Sequence, residues 1–375
     1  MLRISEWLTY TSMEQLRQLN QTYFGEEPQT HSKYDLIRAL LPRLADKQSY
    51  HTQLTDLNTE QLRFLQLLLF DPTLSFTMEE LLAKGRAALG DKSGEPRRFI
   101  VDALKRGWLF QGYSQQTRYL YYVPSDLRKQ LLHCLLEPYH DEVMIRPPRY
   151  YRDEEGQMIR DLKQFLTFLR EQIVRVTESG CIYRNQWKQL METFVVPEQP
   201  IEGKGPRFGF GRSYHLYPDR FALLYDYCYF ENYIIEDSEG YLRLREQDFG
   251  YIFHTDEKQL LSQLYRFWVR LYKRPIPQLP IILKWIGSLA NMGWFPVATV
   301  KEVVFPWLKP FYYETETTLF YRLLQMLGHL GVLRIGEEST GEQWISLTPT
   351  GVVIFADISA FQEKVINEAF FYGRE

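Results

Sequence analysis

The chain has 375 residues, of which 45% are hydrophobic and 24% charged, with a formal net charge of −3 and a pI near 6.2. That length bounds the architecture at about two to four domains. The composition excludes a long disordered tail. It also excludes the overall basic footprint of a dedicated nucleic-acid binder, so any such role has to rest on local charge.

The opening stretch MLRISEWLTYTSMEQ has no sustained apolar core and no small-residue cleavage site, so no signal peptide is expected. TSMEQLRQLNQTYFGEEPQTHSKYDLIRALLPRL then reads as a helix, a loop at Gly25 and a second helix. Ser32 serves as N-cap with Asp35 three residues on. Leu36, Ile37, Leu40 and Leu41 recur at helical spacing and define the buried face, while Lys33, Arg38 and Arg43 lie opposite.

From 99 to 132, FIVDALKRGWLFQGYSQQTRYLYYVPSDLRKQLL gives a helix stopped at Gly107, an aromatic strand, a polar turn and the returning strand RYLYYV. The span 85–130 carries nine basic residues against four acidic, a local charge of +5. Arg97 and Arg98 open its helix, Lys105 and Arg106 close it, and Arg118 lies on the hairpin. Basic residues in a first helical turn oppose the macrodipole, so they call for a reason other than helix stability. Either this is a solvated helix face that happens to be basic, or it contacts phosphate.

PYHDEVMIRPP (138–148) marks a boundary, and RPPRYYRDEEG offers tyrosines beside arginines, either for stacking on unpaired bases or as linker packing. In GKGPRFGFGR (203–212), four glycines with Arg207 and Arg212 can wrap a phosphate or simply form a mobile connector. It lacks the Lys-Ser/Thr ending of a P-loop. The helix–strand–turn–strand grammar returns at 220–253, with YIIE, DSEG and YLRLR, and at 319–355, with VLRI, GEESTGE and WISL after a stop at Gly331. The span 314–357 has six acidic residues against two basic, a charge of −4, which suits a protein partner rather than phosphate.

A helix, a tight stop and a two-stranded ribbon form the back half of a winged helix-turn-helix, whose helix before the wing is the one that enters a major groove. Three such units in one chain predict a mainly α fold with small β-hairpins (α+β), built of tandem winged-helix modules. The expected divisions are a helical unit at 1–58 and modules at 59–140, 141–255 and 256–375.

RLLQMLGHLGVLRIGEESTGEQWISLTPTG and RVTESGCIYRNQWKQL make the chain similar to bacterial helicase-associated proteins of tandem winged helices, related to the N-terminal region of XPB-type helicases. That resemblance covers roughly 60–357 and implies DNA binding. The chain has no GxxxxGK[ST] and no DEAD-like box, so motor activity does not come with it. The N-terminal pair of helices resembles a SAP-type DNA-binding motif, which implies phosphate contact at Ser32, Lys33 and Arg38. Glu26 and Glu27 in its loop work against that contact.

Catalytic constellations are poor. The seven histidines are dispersed, no GxSxG occurs, and Cys134, Cys181 and Cys228 show no CxxC and no Cys/His pair at zinc spacing. Scattered thiols suit a reducing cytoplasm. The longest apolar runs fall short of the ~18–20 residues that cross a bilayer. The expectation is a cytoplasmic, non-enzymatic DNA-binding accessory protein with no cofactor, no metal and no membrane association, acting with a helicase in repair or replication. The phosphate contacts expected are Lys33, Arg38, Arg97, Arg98, Lys105, Arg106, Arg118, Arg207 and Arg212. The rival is a protein-interaction scaffold of winged modules with no DNA contact.

Overall fold

A computed structural model describes residues 2–25, 32–201, 207–312 and 314–356, together with Ile366 and Phe370. Glu26, Glu27, the 203–206 half of the glycine-rich loop and Asp357 lie outside these residues. The chain is α+β, with 57% helix and 11% strand, so helices carry the cores, and the three antiparallel sheets among the described residues are small. Its backbone contacts separate into two compact units, Met1–Asp141 and Glu142–Glu375. Among the described residues no helix is long and apolar enough to cross a membrane.

The first unit begins with α1 (Ile4–Tyr10), α2 (Met13–Phe24), α3 (Lys33–Ala45) and α4 (Lys47–Thr55). Local chemistry starts these helices: Ser12, Ser32 and Asp46 each accept backbone N–H groups of the following turn. Leu36 and Leu40 are buried as their spacing predicts, joined by Leu44, while Ile37 and Leu41 pack at the edge of the core. The chain continues through α5 (Thr59–Leu69), β1 (Phe76–Thr77), α6 (Met78–Leu89), α7 (Arg97–Lys105), β2 (Phe110–Gln111), β3 (Leu120–Tyr122) and α8 (Ser125–Leu136). Capping boxes at Asn58/Gln61 and Thr77/Glu80 set the starts of α5 and α6. Gly85 lets α7 approach α6 closely, because a Cβ there would lie 2.8 Å from Pro96 Cβ.

The second unit runs β4 (Tyr150–Arg152), α9 (Gln157–Glu171), β5 (Val174–Arg175), α10 (Arg184–Thr193), α11 (Asp219–Phe230), β6 (Ile234–Glu236), β7 (Tyr241–Leu244), α12 (Glu246–His254) and α13 (Glu257–Lys273). Then follow α14 (Leu279–Ala290), β8 (Phe295–Pro296), α15 (Val297–Val304), α16 (Glu316–His329), β9 (Leu333–Glu337), β10 (Gln343–Leu347) and α17 (Pro349–Ala356).

One arrangement recurs three times: helix, short strand, helix, helix, hairpin, with the short strand paired to the last strand of the hairpin. The sheet orders are β1-β3-β2, β5-β7-β6 and β8-β10-β9. RPPRYYR is not a linker. Its YYR becomes β4, which extends the third sheet by pairing Tyr150–Arg152 with Glu337–Ile335 of β9.

Each third helix stops in the same way. Trp108 N donates to Ala103 O at 2.8 Å, Tyr233 N to Cys228 O at 2.8 Å and Val332 N to Leu327 O at 3.1 Å. The residue before each donor is left-handed: Gly107 at φ +69°, Asn232 at +60° and Gly331 at +67°. A Cβ on Gly331 would lie 2.6 Å from Glu154 O. Gly331→Ala is therefore expected to cost at least about 2 kcal/mol, from backbone strain plus the clash, whereas Asn232→Gly stays within about 0.5 kcal/mol. Chemical denaturation of the full chain checks both.

Candidate nucleic-acid interface

Helix α7 buries Phe99, Ile100 and Ala103 and turns Arg97, Arg98, Val101 and Lys105 outward. Arg97, Val101 and Lys105 follow one another at four-residue intervals, so they form a row on one face about 12 Å long. Its first turn has no acidic residue and its N-cap, Pro96, supplies no side-chain cap. Arg97, Arg98 and Lys105 enter no ion pair among the described residues. Elsewhere in the same basic span Arg128 and Lys92 are engaged, while Arg86 and Lys129 are exposed. Arg128 donates to Asp71 O at 2.6 Å and Thr73 O at 3.1 Å, and Lys92 sits 2.5 Å from Glu60.

Arg118 is exposed at the base of the hairpin turn. The turn is fixed by Arg118 N to Ser114 O at 2.9 Å and by the Ser114–Thr117 hydroxyl pair at 2.8 Å. Gln111 donates its side-chain amide to the Arg118 carbonyl. Gly112 packs against the Thr117 backbone, where a Cβ has no room. The Arg118 side chain is thus presented from an ordered loop.

Arg106 lies past the end of α7, and its guanidinium sits 5.2 Å from the Trp108 ring centroid. Its carbonyl accepts from Tyr23 Oη at 2.9 Å, Gln53 donates to Tyr23 Oη at 3.0 Å, and Trp108 Nε1 donates to Gln53 Oε1 at 2.9 Å. Burial pushes the Tyr23 hydroxyl up to about 12, so it remains a donor at any physiological pH. This network ties α2 and α4 to the end of α7. Arg106 also lines a polar cleft of about 340 Å³ with Thr22, Tyr23, Arg43, Asp46 and Ser49. Lys33 is the half-buried first residue of α3, and Arg38 is exposed one turn further on.

In the second unit α11 faces inward, whereas α16 keeps Tyr321 and Gln325 exposed. Every residue of α11 from Arg220 to Cys228 is buried, and α16 buries Leu319, Phe320, Leu323, Leu324 and Leu327. Arg207 and Arg212 are engaged by acids and carbonyls of their own unit. Arg207 reaches Tyr214 O at 3.2 Å, Tyr217 O at 2.8 Å and Asp219 at 2.8 Å. Arg212 pairs with Glu236 at 3.0 Å and stacks 3.8 Å from the Tyr229 ring centroid.

The glycine-rich loop does wrap an anion, but one supplied by the chain itself. Arg212 N donates to Asp226 Oδ2 at 2.8 Å, Ser213 N to Oδ1 at 3.0 Å and Ser213 Oγ to Oδ1 at 2.6 Å. Gly211, at φ +132°, comes so close to Asp226 Oδ2 that no side chain fits.

The acidic third hairpin is partly neutralised. Arg146 lies 3.2 Å from Glu338, and Arg149 donates to Ser339 Oγ at 3.1 Å. Back in the first unit, the packing of α4 on α8 brings His51, which no sequence spacing connects to them, beside Cys134 and Glu137. Comparison with models of known protein families finds no match to this chain, and comparison with curated proteins finds none either.

Proposed function

We propose that this protein is a non-enzymatic DNA-binding accessory factor built of tandem winged-helix modules, whose first module grips duplex DNA with α7 and its hairpin. The observation that carries the reading is a contrast between equivalent helices. α7 keeps Arg97, Arg98 and Lys105 exposed and unpaired by acids, while α11 is enclosed in its own unit. The row on α7 is about 12 Å long, comparable to the width of the major groove. Arg118 on the hairpin adds a backbone contact beside it, and Lys33 and Arg38 supply further phosphate contacts from the SAP-like helices. The similarity to helicase-associated proteins makes a helicase acting in repair or replication the partner we favour, in the cytoplasm.

The buried α11 and the apolar face of α16 favour a different task for the second unit. There we read the winged modules as a scaffold, with the acidic third hairpin facing a protein partner.

Fluorescence anisotropy with labelled duplex, single-stranded and forked DNA tests the reading. Binding is expected at low salt, with log K falling linearly in log salt at about 0.9 per phosphate neutralised. Arg97→Ala/Arg98→Ala is expected to lower that slope by about two and weaken all sequences alike. No binding to any of the three DNAs at low salt would refute the function. An unchanged slope in the double variant would remove α7 as the contact.

A further inference from the structure

Two residues of α4, Lys47 and His51, stand one turn apart and face Glu137, the C-cap of α8. Glu137 Oε2 lies 2.8 Å from His51 Nε2, and Oε1 lies 2.8 Å from Lys47 Nζ. Cys134, three residues before Glu137 and so on the same face of the helix, is only 2% exposed. The thiol sulfur, the imidazole nitrogen and the carboxylate oxygen all lie within 4.8 Å of one another.

Surface pairs such as Glu137 with Lys47 contribute little by themselves, and they give no reason for a thiol at the same spot. The donor set does give one. Sulfur and imidazole nitrogen with one carboxylate is a zinc-type combination and a poor one for magnesium or calcium, which take oxygen ligands. Around a tetrahedral zinc the ligand atoms stand about 3.3–3.8 Å apart. His51 and Glu137 would therefore open by several tenths of an ångström while the sulfur closes in, within reach of ordinary side-chain rotation. Lys47, on the other carboxylate oxygen, would orient that ligand as an outer hydrogen bond.

We infer that His51, Cys134 and Glu137 bind one zinc-class divalent transition-metal ion, with water as the fourth ligand. On binding, the Cys134 S–H proton leaves to solvent and the thiolate becomes the ligand. The ion would staple α4 to α8 and so tie the N-terminal helices to the body of their unit.

Cobalt(II) titration of the full-length, chelator-treated protein is the test. One cobalt per chain is expected, with a near-ultraviolet sulfur-to-cobalt band and the visible bands of a tetrahedral ion, both removed by added zinc. Cys134→Ser should abolish the sulfur band, and His51→Ala and Glu137→Gln should each weaken binding at least tenfold. Zinc should also slow alkylation of Cys134 at least tenfold in the unaltered protein, a readout that does not depend on any variant folding. The proposal is overturned if no sulfur band forms, if the band survives Cys134→Ser, if His51→Ala binds as tightly as the parent, or if zinc leaves Cys134 alkylation unchanged. None of these results bears on DNA binding, since no ligand belongs to the α7 surface.

Discussion

Asp161→Ala is expected to destabilise the second unit by about 3–5 kcal/mol, because it strands a fully buried guanidinium. Arg220 and Asp161 are both 0% exposed, and Arg220 Nη2 lies 2.6 Å from Asp161 Oδ2. Asp161 also accepts from Val195 N at 2.6 Å and Val196 N at 3.2 Å, so its loss frees two backbone donors as well. The second acid near Arg220, Glu154, cannot substitute. It is 3.6 Å from Arg220 Nε and already shared with Arg152 at 2.5 Å and His329 at 3.2 Å. Burial works against the Glu154 charge, but His329, Arg152 and Arg220 outweigh it and hold the carboxyl below its ordinary value.

The Arg220 N–H groups are close to these acids yet poorly directed at them, since none meets hydrogen-bond geometry. The pair is therefore held by charge more than by directed bonds. Replacing both members by apolar residues, Arg220→Met with Asp161→Leu, should cost clearly less than Asp161→Ala alone. Two units need not unfold together, so the comparison is best read by hydrogen exchange at residues 142–375. Equal losses in the single and double variants would count against the stranded-charge account.

The second large effect concerns pH. Burial raises the Asp226 carboxyl from 3.8 to about 6, only partly offset by the bonds from Ser213 and Arg212. A carboxyl with a raised folded-state pKa binds its proton more tightly when folded. Ionisation therefore opposes folding, fully above about pH 6, and this opposition fades as the pH falls toward the unfolded value. The difference of about two units corresponds to about 3 kcal/mol at neutral pH, of which about 1 kcal/mol is recovered between pH 7 and pH 5.

Asp226→Asn keeps an acceptor for Ser213 and cannot titrate. Its stability relative to the parent should be greatest at neutral pH and decline by that amount at pH 5. Subtracting the two profiles cancels Glu154, whose lowered pKa acts in the opposite sense, and Glu198, raised by burial. Parallel profiles for parent and variant would show that Asp226 does not titrate in this window.

Much of the local architecture is legible in the sequence, because its causes are local. Gly107 and Gly331 announce a left-handed stop before a hairpin, and Ser32 announces the start of α3. The equivalent stop at Asn232 is hidden, since asparagine adopts that conformation without glycine's signature. The basic face of α7 can be read from spacing, but the fate of its neighbours cannot. Arg128 and Lys92 look identical to Arg97 until the fold delivers Asp71 O and Glu60.

The surroundings of Arg207 and Arg212 are hidden from the sequence for the same reason. Their partners, Asp219 and Glu236, lie on other elements, and the anion inside the glycine loop is a carboxylate of α11. His51 and Cys134 are 83 positions apart, so no spacing rule connects them before α4 packs on α8.

The pairing of β4 with β9 also fixes an order of events on the ribosome. Tyr150 emerges roughly 190 residues before its partner Glu337, a wait of about ten to forty seconds at ordinary elongation rates. Throughout that interval the third sheet does not exist and the Tyr150–Arg152 segment has nothing to pair with. Met1–Asp141, whose strand pairings close within fifty residues, can meanwhile complete its own core. Synthesis thus runs from an early, locally wired body to a late one whose closure waits for nearly the last strand.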